Sequence, residues 1–206
     1  MIHCFDTYLN ATKTDNAQES DMAAIKSKLS GCVDIRSAKD DEDRAGIDYI
    51  ATIKGGREVY IDLKTRTQGC SKYWKARTQS GEIIPELAIE TWSVCPNNRC
   101  PNGEVGWTLD CRKKTDLILY RFDPLDYGHP FLICFHTLRM AAEKRRHEWE
   151  MSCKIDRQRN HSYYSESIFV RADWVKNAVN AVMFGKPCSE RSVYIQQLLF
   201  PLFYQK

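Results

Sequence analysis

Apolar residues recur along this chain in two distinct rhythms. Met22, Ile25 and Leu29 stand at helical spacing, the mark of one buried helix face. Asp15 and Gln18 before them fit a capping box with Asp15 as N-cap, and Gly31 fits a stop, so a helix is predicted from Asp15 to about Ser30. The rhythm then shortens. Tyr49-Ile-Ala-Thr-Ile53 and Val59-Tyr-Ile-Asp-Leu-Lys64 flank Gly55-Gly56, which predicts two strands joined by a glycine turn. Glu86 to Val94 reads as a further strand, with Leu87, Ile89 and Thr91 on one face and Glu86, Ala88, Glu90 and Trp92 on the other. Trp107-Thr-Leu109 reads as the start of another. Thr115–Phe122 and Phe131–His136, separated by a turn at Tyr127-Gly-His-Pro130, predict a hairpin.

From Thr137 to about Asp156 the helical rhythm returns through Leu138, Ala141, Ala142, Trp149 and Cys153. Residues 157–167 read as a polar loop, Ser167–Arg171 as a short strand, and Ala172–Phe184 as an amphipathic helix ended by Gly185 and Pro187. Residues 37–44 read as a charged loop. Ile2, Phe5, Tyr8 and Leu9 suggest a packed N-terminal arm, and the apolar stretch Val193–Tyr204 must pack on the body or on a second subunit. Helices alternating with strands give an α/β fold, and 206 residues suit one domain, 1–206, with the segment from about 167 to 206 packed on it or on a partner.

Composition narrows the class. With 43% apolar and 28% charged residues the balance is that of a globular chain. No apolar run reaches membrane-spanning length, and the first residues lack a basic stretch followed by an apolar one. The expectation is a cytoplasmic protein without a membrane partner. Nine cysteines at irregular spacing argue for reduced thiols rather than a disulfide framework. Cys95 and Cys100, with Cys111 and Cys70 nearby in sequence, leave a structural zinc site open as a minority reading.

The chemistry concentrates at Asp48, Asp62 and Lys64. Alternation along the second strand puts Asp62 and Lys64 on one face while Val59, Ile61 and Leu63 point to the other. Two carboxylates on neighbouring strands, beside an ammonium, can hold a divalent cation next to a phosphate. Asp48, a spacer and Asp62-Leu-Lys64 resemble the active-site signature of the PD-(D/E)XK nuclease superfamily, with Ile47 where the family often has proline. The resemblance covers roughly residues 15 to 95 and is sharp only from 46 to 66. It implies a restriction endonuclease-like fold, a central mixed β-sheet flanked by helices. It implies nuclease activity on nucleic acid, DNA first, with Mg²⁺ or Mn²⁺ as cofactor. Asp48 and Asp62 would be metal ligands with the Leu63 carbonyl as a third, and Lys64 would serve the attacking water and the transition state. An acid on the first helix often joins such a site, which points to Glu19. Glu90 is a further candidate, on the expectation that its strand neighbours that of Asp62.

After Lys64 the chain carries five basic residues from Lys64 to Arg77 and no acid. Arg66, Lys72, Lys75 and Arg77 suit phosphates, and Tyr73 and Trp74 suit base stacking. Lys144, Arg145 and Arg146 are interleaved with Glu143, Glu148 and Glu150 and read as a solvated helix face. His136, His147 and His161 show no metal-ligand spacing. The net charge of +3 adds little. There is no P-loop, dinucleotide fingerprint or Gly-x-Ser-x-Gly. Compactness suggests a stand-alone enzyme of phage or mobile-element type, with homodimerisation the route to cutting two strands. The competing reading is a non-catalytic inhibitor or adaptor on the same scaffold that binds nucleic acid or protein. A zinc-stabilised interaction protein is the third.

Overall fold

The computed structural model describes residues 15–66, 75–77, 83–122 and 130–183. The N-terminal arm, Cys70, Lys72, Tyr73, Trp74, most of the turn before Pro130 and the apolar C-terminal stretch lie outside the described residues. Helix α1 spans Asp15–Lys28, and Gly31 follows its end with φ +74. Strand β1 (Cys32–Ser37) leads through a short helix α2 (Asp40–Arg44) to β2 (Tyr49–Ile53) and β3 (Arg57–Arg66). The segment 37–44, read as loop, thus contains a helical turn. Its Glu42 carboxylate accepts the Lys39 backbone N–H at 2.8 Å and both Arg36 Nη groups at 2.8 Å.

Strands β1, β2 and β3 are antiparallel, with Tyr49 opposite Ile61 and Ile53 opposite Arg57 across the glycine turn. Strand β7 (Leu117–Phe122) then joins β3 in parallel, and β8 (Phe131–Cys134) closes the sheet as an antiparallel edge. The order is β1-β2-β3-β7-β8. A parallel pair needs a long crossover. Here that crossover supplies strands of a second sheet: β4 (Lys75–Arg77), β5 (Ile83–Val94) and the short β6 (Glu104–Val105). β5 pairs with β4 and β6 and with β10 (Tyr163–Arg171), which pairs in turn with β9 (Lys154–Asn160).

Helix α3 (Phe135–Ser152) begins where the hairpin reading expected strand to continue through His136. The Phe135 amide donates to the Asp116 carbonyl at 2.8 Å, and the Thr137 hydroxyl donates to the Cys134 carbonyl at 2.9 Å, fixing that start. The helix stops at Ser152 because Cys153 turns extended (φ −115, ψ 163) and opens β9. Residues 157–167 are therefore not loop but most of a β-hairpin, closed at His161 with φ 36. Every residue of β9 before Asn160 is exposed, so this edge strand has no apolar alternation to betray it. Trp107–Leu109 form a turn rather than a strand; the Leu109 and Asp110 amides both donate to the Gly106 carbonyl. Helix α4 (Ala172–Met183) ends the described chain.

Two apolar clusters place these parts. Ile25 of α1 and Leu29 just past its end meet Tyr49, Ala51, Val59, Ile61, Leu117 and Leu119 on one face of the first sheet. The other face of β7, through Ile118, Tyr120 and Phe122, packs against α3, α4 and the inner residues of β5 and β10. The Ala88 amide donates to the Tyr120 hydroxyl at 2.7 Å, pinning the two sheets together. The result is a mixed α/β architecture with a mixed central sheet flanked by helices, the fold class expected from the sequence. Among the described residues no helix is long and apolar enough to cross a membrane.

Candidate metal and phosphate site

The polar stripe of β3 lies in the seam between the two sheets. In the parallel register Asp62 stands beside Ile118, Lys64 beside Tyr120 and Arg66 beside Phe122, so all three share the face that looks toward the second sheet. Asp62 is only 2% exposed, and both of its oxygens are engaged: Oδ1 by Lys64 Nζ at 2.6 Å and Oδ2 by Lys113 Nζ at 3.1 Å. Asp48 sits just before β2, where the Asp48 amide donates to the Ile61 carbonyl at 2.9 Å. Its Oδ2 accepts the Leu63 backbone N–H at 2.6 Å. The N–H and C=O of one strand residue leave the same edge, so the Leu63 carbonyl is directed to the Asp48 side as well.

Burial raises the Asp48 carboxyl to about 6; the Leu63 amide opposes the rise, while the adjacent Asp62 carboxylate adds to it. A rise from the ordinary 3.8 to about 6 corresponds to about 3 kcal/mol of native-state cost once the group is ionised. Its sign is that of a raised acid: the cost is absent below about pH 4, grows as pH climbs through 6 and is complete above it. Asp48→Asn keeps the acceptor for Leu63 and replaces the second carboxylate oxygen by a donor toward Asp62. It is expected to stabilise the metal-free protein by about 2–3 kcal/mol at pH 8 and not at all below pH 4, as read by thermal unfolding in EDTA. Equal stability of the two proteins at pH 8 would contradict the placement of Asp48.

The residues expected at this site divide. Asp48, Asp62, Lys64 and the Leu63 backbone come together. Glu19 is exposed and is not brought in. The acid that α1 turns inward is Asp21, 1% exposed, which accepts from Arg121 Nη1 at 2.9 Å and from the Tyr49 hydroxyl at 3.0 Å. Glu90 does not neighbour Asp62: β5 belongs to the second sheet, and the strands beside β3 are β2 and β7. Its Oε2 instead accepts the Trp107 amide at 3.0 Å and the Ser93 hydroxyl at 3.0 Å. The Trp107 ring lies 5.2 Å from Lys64 Nζ, so Glu90 bears on the site only by holding the turn that carries this ring.

Arg66 is 6% exposed, not a surface phosphate contact; its guanidinium lies 4.4 Å from the Phe169 ring, with Nε and Nη2 buried and unpartnered. Lys75 and Arg77 belong to β4. On α3, Arg145–Glu148 at 2.6 Å and Arg146–Glu150 at 2.7 Å make the ion-paired solvated face read from the sequence.

Lys113 was not legible as a site residue. It reaches Asp62 because its loop is fastened at both ends. Gly106 packs on the Glu90 backbone so closely that a Cβ would run into the carbonyl, and Thr115 Oγ1 donates to the Gly46 carbonyl at 3.0 Å. Gly46 itself has φ +79, and a Cβ there would stand 2.8 Å from Lys113 Nζ. Gly106→Ala is expected to push the loop off β5 and cost about 2–3 kcal/mol, measured by urea unfolding; a cost under about 0.5 kcal/mol would contradict the tight seating.

Asp48, Asp62 and the Leu63 carbonyl form an all-oxygen donor set. It fits Mg²⁺ or Mn²⁺, since Mg²⁺ is commonly held by one or two carboxylates and keeps several waters. Among the described residues no group of three or more His, Cys, Asp and Glu side chains could hold a metal. Cys95 is buried, Cys100 half-buried and Cys111 exposed, all as free thiols, and the zinc reading gains nothing from them. No protein-family model, curated protein or solved structure matches this chain.

Proposed function

We propose that the protein is a metal-dependent nuclease that hydrolyses phosphodiester bonds, with DNA as the first substrate class, on a restriction endonuclease-like sheet. The observation that supports this most is the convergence of Asp48, at the entry to β2, with Asp62 and Lys64 of the neighbouring β3, Asp62 being buried and its Oδ1 paired to Lys64 at 2.6 Å. An ordinary surface charge pair needs no such burial. Asp48, Asp62 and the Leu63 carbonyl would hold Mg²⁺ or Mn²⁺, which when bound polarises the scissile phosphate and makes the attacking water more acidic. Lys64 keeps a positive charge at the phosphate as negative charge develops there. Asp62 fixes the Lys64 ammonium through their hydrogen bond, with the Trp107 ring 5.2 Å from it. Asp48 must be ionised to hold a cation, so affinity for the cation is expected to rise with pH through about 6.

The second reading, a nucleic-acid- or protein-binding inhibitor or adaptor on this scaffold, draws on Asp62, both of whose oxygens are already taken by Lys64 and Lys113, an arrangement that needs no metal. Affinity and cleavage measured side by side on duplex DNA, single-stranded DNA and RNA, in Mg²⁺ and in EDTA, separate the two. The nuclease reading expects metal-dependent cutting of at least one substrate. Tight binding that ignores EDTA, without cutting, would replace it by the second.

A further inference from the structure

Lys113 has a place at the site that its sequence context, Arg112-Lys113-Lys114, does not suggest. Its ammonium contacts Asp62 Oδ2 at 3.1 Å while its side chain is only 20% exposed. The space for it is made by the missing Cβ of Gly46. With Lys64 on Oδ1, the two ammonium groups offset the two carboxylates Asp48 and Asp62, and the cluster is close to electrically neutral without any added ion. A buried carboxylate requires such compensation. A divalent cation that binds Asp62 must take a lone pair now held by an ammonium or the remaining one on the same oxygen, and in either case meets that ammonium's charge at close range.

The two lysines differ in how they are held. Lys64 is a strand residue whose position follows from the β3 ladder. Lys113 comes from a connecting loop and reaches the site by its flexible end alone.

We infer that Lys113 is a built-in counter-ion that stands in for the metal at Asp62 and is displaced when a divalent cation binds. This rests on the reading of Asp48 and Asp62 as the cation site. Lys113 is then a positioning residue that sets the metal concentration at which the site fills. It preserves the pocket in the metal-free protein and weakens the apparent affinity for the cation, since the open form of Asp62 is only fractionally populated.

The test uses the full chain, stripped of metal, with Mn²⁺ as the probe. Calorimetric titration and thermal unfolding are run on wild type, Lys113→Met and Lys113→Gln; the glutamine variant keeps a polar group should the methionine variant fold poorly. The expected result is that both variants bind Mn²⁺ about tenfold more tightly than wild type. Both melt lower than wild type in EDTA, and the gap closes at saturating Mn²⁺. Equal or weaker Mn²⁺ binding by the variants, with wild type binding normally, would overturn the counter-ion role and leave the metal site standing. No Mn²⁺ uptake by wild type or either variant would overturn the cation site and this inference with it.

Discussion

Asp62→Ala is expected to lose both cation binding and cleavage, the latter by at least about 10³-fold, while Lys64→Ala loses cleavage to a similar extent but still binds the cation. The split follows from what each group touches. Asp62 is buried at 2% exposure and supplies oxygen atoms, so its removal takes away a ligand and leaves Lys64 and Lys113 without the carboxylate they share. Lys64 supplies only positive charge, held by Asp62 Oδ1 at 2.6 Å beneath the Trp107 ring. Removing it spares the oxygen donors and strips the charge that a pentacovalent phosphate needs. Single-turnover cleavage and Mn²⁺ titration on the same preparations check this, with circular dichroism as the folding control. Cleavage retained by either variant would move the chemistry away from β3. Loss of cation binding in Lys64→Ala would show that the lysine acts on the fold of the site rather than on the reaction.

The second large effect is on stability. Arg121→Met is expected to cost about 3–5 kcal/mol, measured by urea unfolding in EDTA, because it strips the cation from a buried carboxylate. Asp21 and Arg121 are 1% and 7% exposed, and Nη1 of the arginine lies within 3.0 Å of both Asp21 oxygens. Burial already raises the Asp21 carboxyl, against the pull of Arg121 and Tyr49. Tyr49, its ionisation raised by burial and by Asp21, stays neutral and donates. This triad is the polar bolt between α1 and the first sheet, and Tyr49 is the residue next to Asp48. Replacing Asp21 and Arg121 together by apolar residues of similar volume is expected to cost less than Arg121→Met alone. A loss under about 1 kcal/mol in Arg121→Met would contradict the bolt.

Hydropathy pattern makes legible the parts of the fold whose alternation survives at the surface. The helix through Met22, Ile25 and Leu29, the strands around Gly55-Gly56, the inward face of β5 and the β7–β8 hairpin all follow from period and turn chemistry. What escaped has a physical cause in each case. β9 is a polar edge strand, so nothing separates it from loop on hydropathy alone. Trp107 was read as strand because an aromatic followed by β-branched and aliphatic residues fits that pattern, but the chain must there leave one sheet for the other and turns at Gly106.

The site divides similarly. Asp48, Asp62 and Lys64 were legible because Asp48 immediately precedes β2 and the other two lie on β3, two strands joined by one short turn, where register is decided locally. Lys113 and the failure of Glu90 to reach Asp62 both depend on a crossover through a second sheet, which no local pattern encodes. Glu19 was chosen because it stands one turn before Met22 and so can border the buried face, whereas the structure leaves it exposed. The available signal was the spacing Asp21, Ile25, Leu29, which puts the aspartate on the buried face, together with a lone Arg121 of opposite sign inside the apolar run of β7.

The central claim is tested most directly by incubating wild-type and Asp62→Ala protein, purified in parallel, with supercoiled plasmid, linear duplex, single-stranded DNA and RNA in Mg²⁺, Mn²⁺ or EDTA. The account predicts cleavage of at least one of these by wild type in metal, none in EDTA and none by Asp62→Ala. Equal cutting by both proteins, or no cutting by folded wild type on any substrate, would contradict it.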